Sequence, residues 1–178
     1  MQKSRLWVLI AITIALLAAI MVGQANKPAS PPGEAMLRFD DGHTVTIQYG
    51  RPSMRGRKIF GGLVPYDEVW RTGANSATSL KTDVDLNIGN ANVPAGSYTL
   101  YTLPGVNSWK LIINKQTGQW GTEYSQSQDL ARVDMKVTER PSVLEQFTIS
   151  FDKTGANSAT LKLEWANTIA SVEVKEKK

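Results

Sequence analysis

Apolar and polar residues alternate in short runs along most of the chain after residue 35, and this pattern constrains the fold more than any other feature of the sequence. Successive side chains of a β-strand point to opposite faces, so such alternation is typical of strands with one buried face. The runs are rich in Val, Ile, Thr and aromatic residues, and clusters of Gly, Pro, Asn and Asp separate them. We predict strands at 36–39, 43–49, 78–82, 85–88, 97–103, 109–113, 133–137, 147–151, 160–165 and 169–174.

Strands repeated about every 8–12 residues, with turn residues between them, are typical of an antiparallel sandwich or barrel. The sequence therefore predicts an all-β fold, a single antiparallel β-sandwich of the jelly-roll type, over residues 35–178. That length suits one domain, because domains commonly hold about 100–200 residues. A short helix is expected only at residues 124–132.

The N-terminal segment has the three parts of an export signal. Residues 6–22 are a run of 17 in which Thr13 alone is not apolar, and Lys3 and Arg5 precede it. Small residues follow at the spacing that a signal peptidase requires. We therefore predict a signal peptide over residues 1–25 and an exported protein, periplasmic or secreted.

An uncleaved anchor is the alternative for the same segment. It would tether the chain to the inner membrane through residues 6–22, although at ~1.5 Å per residue this run spans only ~25 Å of a ~30 Å hydrocarbon layer. Residues 26–34 contain three prolines and are predicted to be an extended tether between this segment and the folded part.

The charge balance gives little support to a nucleic-acid partner. The whole chain has 20 Lys plus Arg against 16 Asp plus Glu, and removal of Lys3 and Arg5 with the predicted signal leaves 18 against 16. A net charge of +2 lacks the field that phosphate binding usually requires. The pattern does not predict an oligomeric state.

Most nucleophilic and transition-metal chemistry is excluded by composition. The chain has no cysteine and one histidine, His43, which lies in an alternating run and is expected to be an exposed strand residue. A serine elbow of the Gly-x-Ser-x-Gly type is also missing. The residues from Asp83 to Gly89 begin like a calcium loop, but Ile88 and Pro94 occupy the sixth and twelfth positions, where glycine and glutamate are needed. We expect no cofactor, no metal and no catalytic residues of these kinds.

Two irregular segments, 50–75 and 114–123, interrupt the alternation, and such connections on a rigid β scaffold commonly hold binding groups. Guanidinium groups bind carboxylate, phosphate or sulfate through paired N–H donors, so an anion site is one interpretation of the first segment. The other is that its arginines pair with Asp67 and Glu68, stack on Trp70 or are solvated. The candidate cations are Arg51, Arg55, Arg57, Lys58 and Arg71.

A sugar-binding surface is a related hypothesis. Trp70 and Trp120 lie in the irregular segments, with Asn75 nearby, and an aromatic face beside planar amides suits a pyranose ring and its hydroxyl groups. The alternative is that these tryptophans plug the end of the sandwich. Trp109 and Trp165 lie in alternating runs and are expected in the core.

Paired carboxylates could catalyse acid–base chemistry without histidine. Asp67 and Glu68 are the acids of the first irregular segment, but neighbours in an extended chain point to opposite faces, and no distant partner is identifiable. A carboxylate-based hydrolase or lyase acting on an envelope polymer is therefore the alternative function.

One heptapeptide occurs twice. Residues 72–78 and 154–160 both read TGANSAT, and each copy precedes a predicted strand. We interpret the repeat as a turn that leads into a strand and is used twice. The alternative is an ancestral duplication, which is not supported because the two halves of the sequence match poorly elsewhere.

The sequence also resembles a known family. The run YGRPSMRGRKIFGGLVPYDEVWRTGANSAT at 49–78 resembles the signature block of the bacterial family known as domain of unknown function 2911. Further similar blocks are VPAGSYTLYTLPG at 93–105, LIINKQTGQWG at 111–121, FTISF at 147–151 and SATLKLEW at 158–165. The resemblance implies an exported, β-rich protein and carries over no activity. Together these features predict a non-catalytic ligand-binding or structural module of the cell envelope, with an anionic or glycan ligand as its partner.

Overall fold

The structure is a computed structural model that describes residues 29–178, and it is built from one antiparallel sheet of nine strands. The order across the sheet is β1-β2-β3-β6-β7-β8-β9-β4-β5, and the sheet is not closed. The prediction of an all-β antiparallel fold is confirmed. The strands are β1 (Pro32–Arg38), β2 (Thr44–Gly50), β3 (Thr78–Thr82), β4 (Leu86–Ile88), β5 (Ala91–Val93), β6 (Gly96–Pro104), β7 (Trp109–Asn114), β8 (Asp129–Gly155) and β9 (Ser158–Glu176).

Alternation predicted where strands lie but not how long they are. Each of the last two strands combines two predicted ones, so that β8 runs for 27 residues and β9 for 19. The register of their pairing shifts between Glu139 and Leu144 and again before Thr148, which lets one strand continue through a bend. The short edge strand β5 was not predicted, because three residues are too few to establish a period.

The long strand β8 connects the two parts of the sheet. Its first residues pair with β7, and the residues from Lys136 onward pair with β9. Beyond the bend, β8 lies against the other end of the sheet: the Ile149 backbone N–H donates to the Tyr49 hydroxyl over 2.8 Å, and the Phe147 N–H donates to the Pro52 carbonyl.

The core is made by the apolar faces of the strands. Trp109 and Trp165 are 2% and 1% exposed, which confirms the prediction that both are core residues. Phe60 contacts both rings, at centroid distances of 4.7 Å and 6.3 Å. Burial of such large apolar side chains is the main favourable term that holds the sheet together.

The predicted helix at residues 124–132 is wrong. A single 3-10 turn, Gln126–Gln128, is present there, and β8 begins at Asp129. The Asp129 carboxylate accepts hydrogen bonds from the Tyr124 hydroxyl, the Arg132 guanidinium and the Asn114 amide. Those bonds and the pairing with β7 hold the segment in an extended form.

The folded part begins slightly earlier than predicted, because β1 starts at Pro32 rather than near residue 35. The Arg51 N–H donates to the Pro31 carbonyl, which ties the end of the predicted tether to the sheet. The predicted signal peptide or anchor, residues 1–25, lies outside the described residues. Within residues 29–178, no helix has the length and apolar character needed to cross a membrane.

Candidate functional site

A cavity of about 230 Å³ opens where four parts of the chain meet. The residues before β1, the loop after β2, the approach to β3 and one residue of β9, Trp165, contribute to its wall. We call it the cationic cavity, because its lining residues include three arginines and no acidic residue: Arg55, Arg57 and Arg71. The structure thus brings together three of the five predicted cations and Trp70.

Arg71 is the most unusual of these residues. Its Nε atom is buried and has no hydrogen-bond partner within residues 29–178, and its guanidinium forms no ion pair with a carboxylate of that part of the chain. An unpartnered buried donor on a charged group costs folding free energy, so such groups usually have a partner. The second irregular segment reaches this side chain through Gly121, whose N–H donates to the Asn75 carbonyl.

Arg55 and Arg57 are exposed and sit on a tight turn. Arg55 and Gly56 both have positive φ values, 50° and 72°, and the Arg57 N–H donates to the Met54 carbonyl. The Arg57 guanidinium donates to the carbonyls of Met54 and Ser53, and Arg55 donates to Ala29. Since a guanidinium has five N–H donors, each keeps donors for a ligand.

One carboxylate that contacts this turn belongs to Glu145, which does not line the cavity. Its Oε1 atom accepts a hydrogen bond from the Arg55 backbone N–H over 2.8 Å. No ion pair joins it to an arginine within residues 29–178. The carboxylate therefore fixes the backbone of the turn and makes no direct ion pair with the guanidinium groups of the described chain.

Trp70 both lines the cavity and packs in the core. Its ring stacks on Trp165 at a centroid distance of 5.9 Å and an interplanar angle of 18°, and it meets Phe147 edge to face at 5.0 Å. Its backbone pairs with Thr102 of β6. This side chain therefore packs in the core and also supplies apolar surface to the cavity wall.

Left-handed backbone is concentrated in the first irregular segment. Of five non-glycine residues with positive φ in the described chain, four lie in the first irregular segment, and the fifth is Ala166. Such conformations cost about 1–3 kcal/mol each and cluster at functional sites. The four are Arg55, Asp67, Thr72 and Asn75.

Two of the predicted cations lie outside the cavity. The Arg51 guanidinium crosses to β8, where it donates to the Phe147 carbonyl over 3.3 Å and to the Thr148 hydroxyl over 3.0 Å. It therefore joins the end of β2 to the bent strand. Lys58 is exposed on the loop and does not line the cavity.

Asn75 lines a second, open cleft of about 390 Å³ that adjoins the first. Its left-handed φ of 66° is one that asparagine tolerates, and its amide donates to the Ser30 carbonyl. Trp120 pairs with Ser76 through its backbone, while 53% of its surface is exposed, and it lines neither cavity.

The acid pair lies on the surface, outside the lining of both cavities. Asp67 and Glu68 are exposed, and the Asp67 N–H donates to the Pro104 carbonyl at the start of the turn after β6. Among residues 29–178, neither forms an ion pair with an arginine.

A cluster of three side chains of the types that bind metal ions lies away from both cavities, between the β1–β2 turn and the end of β9. Asp41, His43 and Glu176 place one ligand atom each within 4.8 Å of one another. The His43 ring lies 3.3 Å from the Asp83 carboxylate and is half exposed. Desolvation, and then the hydrogen bond with Asp41, raise the pKa of Glu176, which is consistent with two carboxyl groups that share a proton.

Sequence reasoning missed several residues of the cavity. Ser53, Leu63 and Trp165 line it, and Gly121 supports it from outside. Ser53 and Leu63 lie within the first irregular segment, so their position was the available signal. Trp165 was assigned to the core alone, because alternation cannot reveal that a buried ring also faces a cavity.

The fold and the cavity define an all-β protein with an arginine-rich cavity beside the end of β2. The chain belongs to the family described as Protein of unknown function (DUF2911), which matches residues 30–174 and so confirms the resemblance found in the sequence. Comparisons with curated proteins and with solved structures gave no match.

Proposed function

We propose that this protein is a non-catalytic binding module of the cell envelope and that the cationic cavity holds an anionic group of its ligand. The observation that carries the proposal is the Arg71 guanidinium, which lines the cavity and forms no ion pair with a carboxylate of residues 29–178. A carboxylate, sulfate or phosphate group in the cavity would accept hydrogen bonds from its terminal N–H groups. The same anion would balance the charge of the guanidinium.

The surroundings of Arg71 favour an anion over a neutral ligand. Arg55 and Arg57 add two further charges without an ion-pair partner in residues 29–178. The apolar surface of Trp70 and Trp165 lowers the local dielectric constant, which strengthens charge–charge attraction. The volume of about 230 Å³ suits one small charged group rather than a drug-sized molecule.

The lining of the cavity also favours binding over catalysis. It contains arginines, serines and apolar residues, and no carboxylate or imidazole that could transfer a proton. Asp67 and Glu68, the acids of the alternative hydrolase or lyase, lie on the surface outside it. The alternative function therefore gains no support from their position.

We also propose that the protein is exported to the cell envelope and that its sheet packs as two layers. The apolar run at 6–22 and the cations before it support export, with cleavage or an anchor as the two possible outcomes. The contacts of Tyr49 and Pro52 with the bent part of β8 support two layers packed face to face, as in a sandwich.

The proposal is tested by one pair of matched variants. Arg55 lines the cavity and Lys58, three residues further on, does not, although both are exposed cations of the same loop. We expect sulfate and glucuronate to change the fluorescence of the purified protein as they bind near Trp70. Arg55→Gln should weaken that binding roughly tenfold, as expected for loss of about 1.4 kcal/mol, and Lys58→Gln should change it less than about twofold.

Melting temperatures of both variants show whether folding is affected. Equal losses of affinity in Arg55→Gln and Lys58→Gln would mean that general surface charge, not the cavity, attracts the anion. Failure of the wild-type protein to bind any of these anions would overturn the proposal.

A further inference from the structure

The open cleft beside the cationic cavity has a different chemical character. Its wall consists of hydroxyl groups, side-chain amides and small apolar surfaces, and none of its lining residues carries a charge. It forms where the start of β1, the end of β2 and the start of β3 lie side by side. A neutral, hydroxyl-bearing group fits such a wall better than a charged one.

Some polar groups of this cleft form no hydrogen bond within the described part of the chain. Within residues 29–178, the side-chain hydroxyls of Ser76 and Ser79 have no hydrogen-bond partner. The amide of Asn75 uses one N–H for the Ser30 carbonyl, which leaves its other N–H and its oxygen. Pro32 and the Tyr49 ring supply apolar surface in the same wall.

The two cavities share a wall. Ser30 and Ala74 line both of them, and Asn75 of the open cleft lies only four residues after Arg71 of the cationic cavity. One ligand can therefore place a charged group in the first and an uncharged neighbouring group in the second.

We infer that the ligand is an acidic saccharide chain, with the carboxylate or sulfate of one sugar in the cationic cavity and the hydroxyl groups of the adjoining sugar in the open cleft. This inference rests on the proposed function, since it requires the anion to bind beside Arg71. A pyranose presents C–H groups to apolar surface and hydroxyls to amides, which matches the wall of the cleft. The open side of the cleft lets the chain continue into solvent.

The test compares a monomer with an oligomer of the same acid. Galacturonate and its linear tetrasaccharide are titrated separately into the whole protein, with neutral cellotetraose as a third probe. We expect the tetrasaccharide to bind at least about tenfold more tightly than the monomer, because contacts in the cleft add to those in the cavity. Cellotetraose should bind at least about tenfold more weakly than the acidic chain.

Variants of the cleft separate its contribution from that of the cavity. Ser79→Val and Ser76→Val should reduce the affinity for the tetrasaccharide toward that of the monomer and leave the monomer unchanged. Ser97→Val is the control, since Ser97 is an exposed strand serine that lines neither cavity. Ser76 is exposed, so its variant tests the cleft even if Ser79→Val does not fold.

The results distinguish failure of the saccharide inference from failure of the proposed anion site. If the monomer binds and the tetrasaccharide binds no better, the saccharide inference is overturned and the anion site stands. The same conclusion follows if the cleft variants do not alter tetrasaccharide affinity. If neither acid binds, the proposed function fails, and this inference fails with it.

Discussion

Gly121 lies so close to the stem of Arg71 that no other residue fits there. A Cβ atom at position 121 would come within 2.5 Å of Arg71 Cδ and within 2.7 Å of the Asn75 carbonyl oxygen. The two irregular segments of the chain therefore meet at this glycine. Its missing side chain leaves room for the Arg71 side chain beside the cavity.

Substitution Gly121→Ala should move Arg71 and abolish anion binding. Because the Asn75 oxygen belongs to the backbone, the clash is not relieved by a side-chain rotation alone, and we expect a loss of about 1–3 kcal/mol in the free energy of unfolding. Gly118→Ala is the control: nothing lies within 4 Å of a Cβ there, although its φ of +80° adds strain. Both variants should be less stable, and only Gly121→Ala should lose affinity in a titration with sulfate.

Removal of the Trp165 ring should destabilise the whole domain. The side chain is 1% exposed, and its Nε1 donates to the Glu145 carbonyl over 3.1 Å. Trp165→Ala should lower the free energy of unfolding by about 3–5 kcal/mol, measured by urea denaturation. Trp120→Ala, at a residue that is 53% exposed, should cost clearly less. Equal costs would contradict the assigned core.

Asp83 should stabilise the protein near neutral pH and lose this stabilising effect in acid. Hydrogen bonds from Thr44, first from its backbone N–H and then from its hydroxyl, hold the pKa of this carboxyl below its usual value of 3.8. A lowered folded-state pKa adds stability above pH 3.8, and that stability is lost as the pH falls through the folded value.

Asp83→Asn tests this pH dependence. Since the carboxylate is half exposed, solvent screening limits its contribution to about 1 kcal/mol or less near neutral pH. The difference in unfolding free energy between wild type and variant should shrink as the pH is lowered below 3.8. A difference that stays constant across this range would show that the hydrogen bonds act independently of charge.

Tyr124 should ionise only at strongly alkaline pH. Burial and the hydrogen bond that its hydroxyl donates to Asp129 raise its pKa from 10.0 to about 12. The neutral phenol is favoured by the fold, so its stabilising contribution is complete below pH 10.0 and is lost as the pH rises through about 12. Absorbance titration of tyrosinate should show this group in the wild type and its loss in Tyr124→Phe. If the group lost in Tyr124→Phe titrates near pH 10.0 instead, the assignment is refuted.

Local patterns identified much of the fold and part of the site. The alternation of β2 is visible in the sequence, and its burial follows the same period. Arg55, Arg57, Trp70 and Arg71 were predicted as candidates from one segment, and they line one cavity. These features depend on neighbours in sequence, which is why the sequence reveals them.

Features that depend on distant contacts could not be predicted. Arg51 has the same local setting as the other arginines, but its partners lie about a hundred residues away in β8. The repeated heptapeptide shows the same limit. In the first copy Thr72, Gly73 and Asn75 have positive φ, whereas in the second copy the chain turns between Gly155 and Ser158 with no positive φ at the corresponding residues.

The bent strand β8 also determines when the chain can fold during its synthesis. Tyr49 and Pro52 are synthesised early, but their partners at Phe147 and Ile149 come about a hundred residues later. Closing so long a loop is entropically costly until those partners exist. The N-terminal strands therefore cannot complete their packing during most of translation, and the final third of the chain decides when the domain becomes stable.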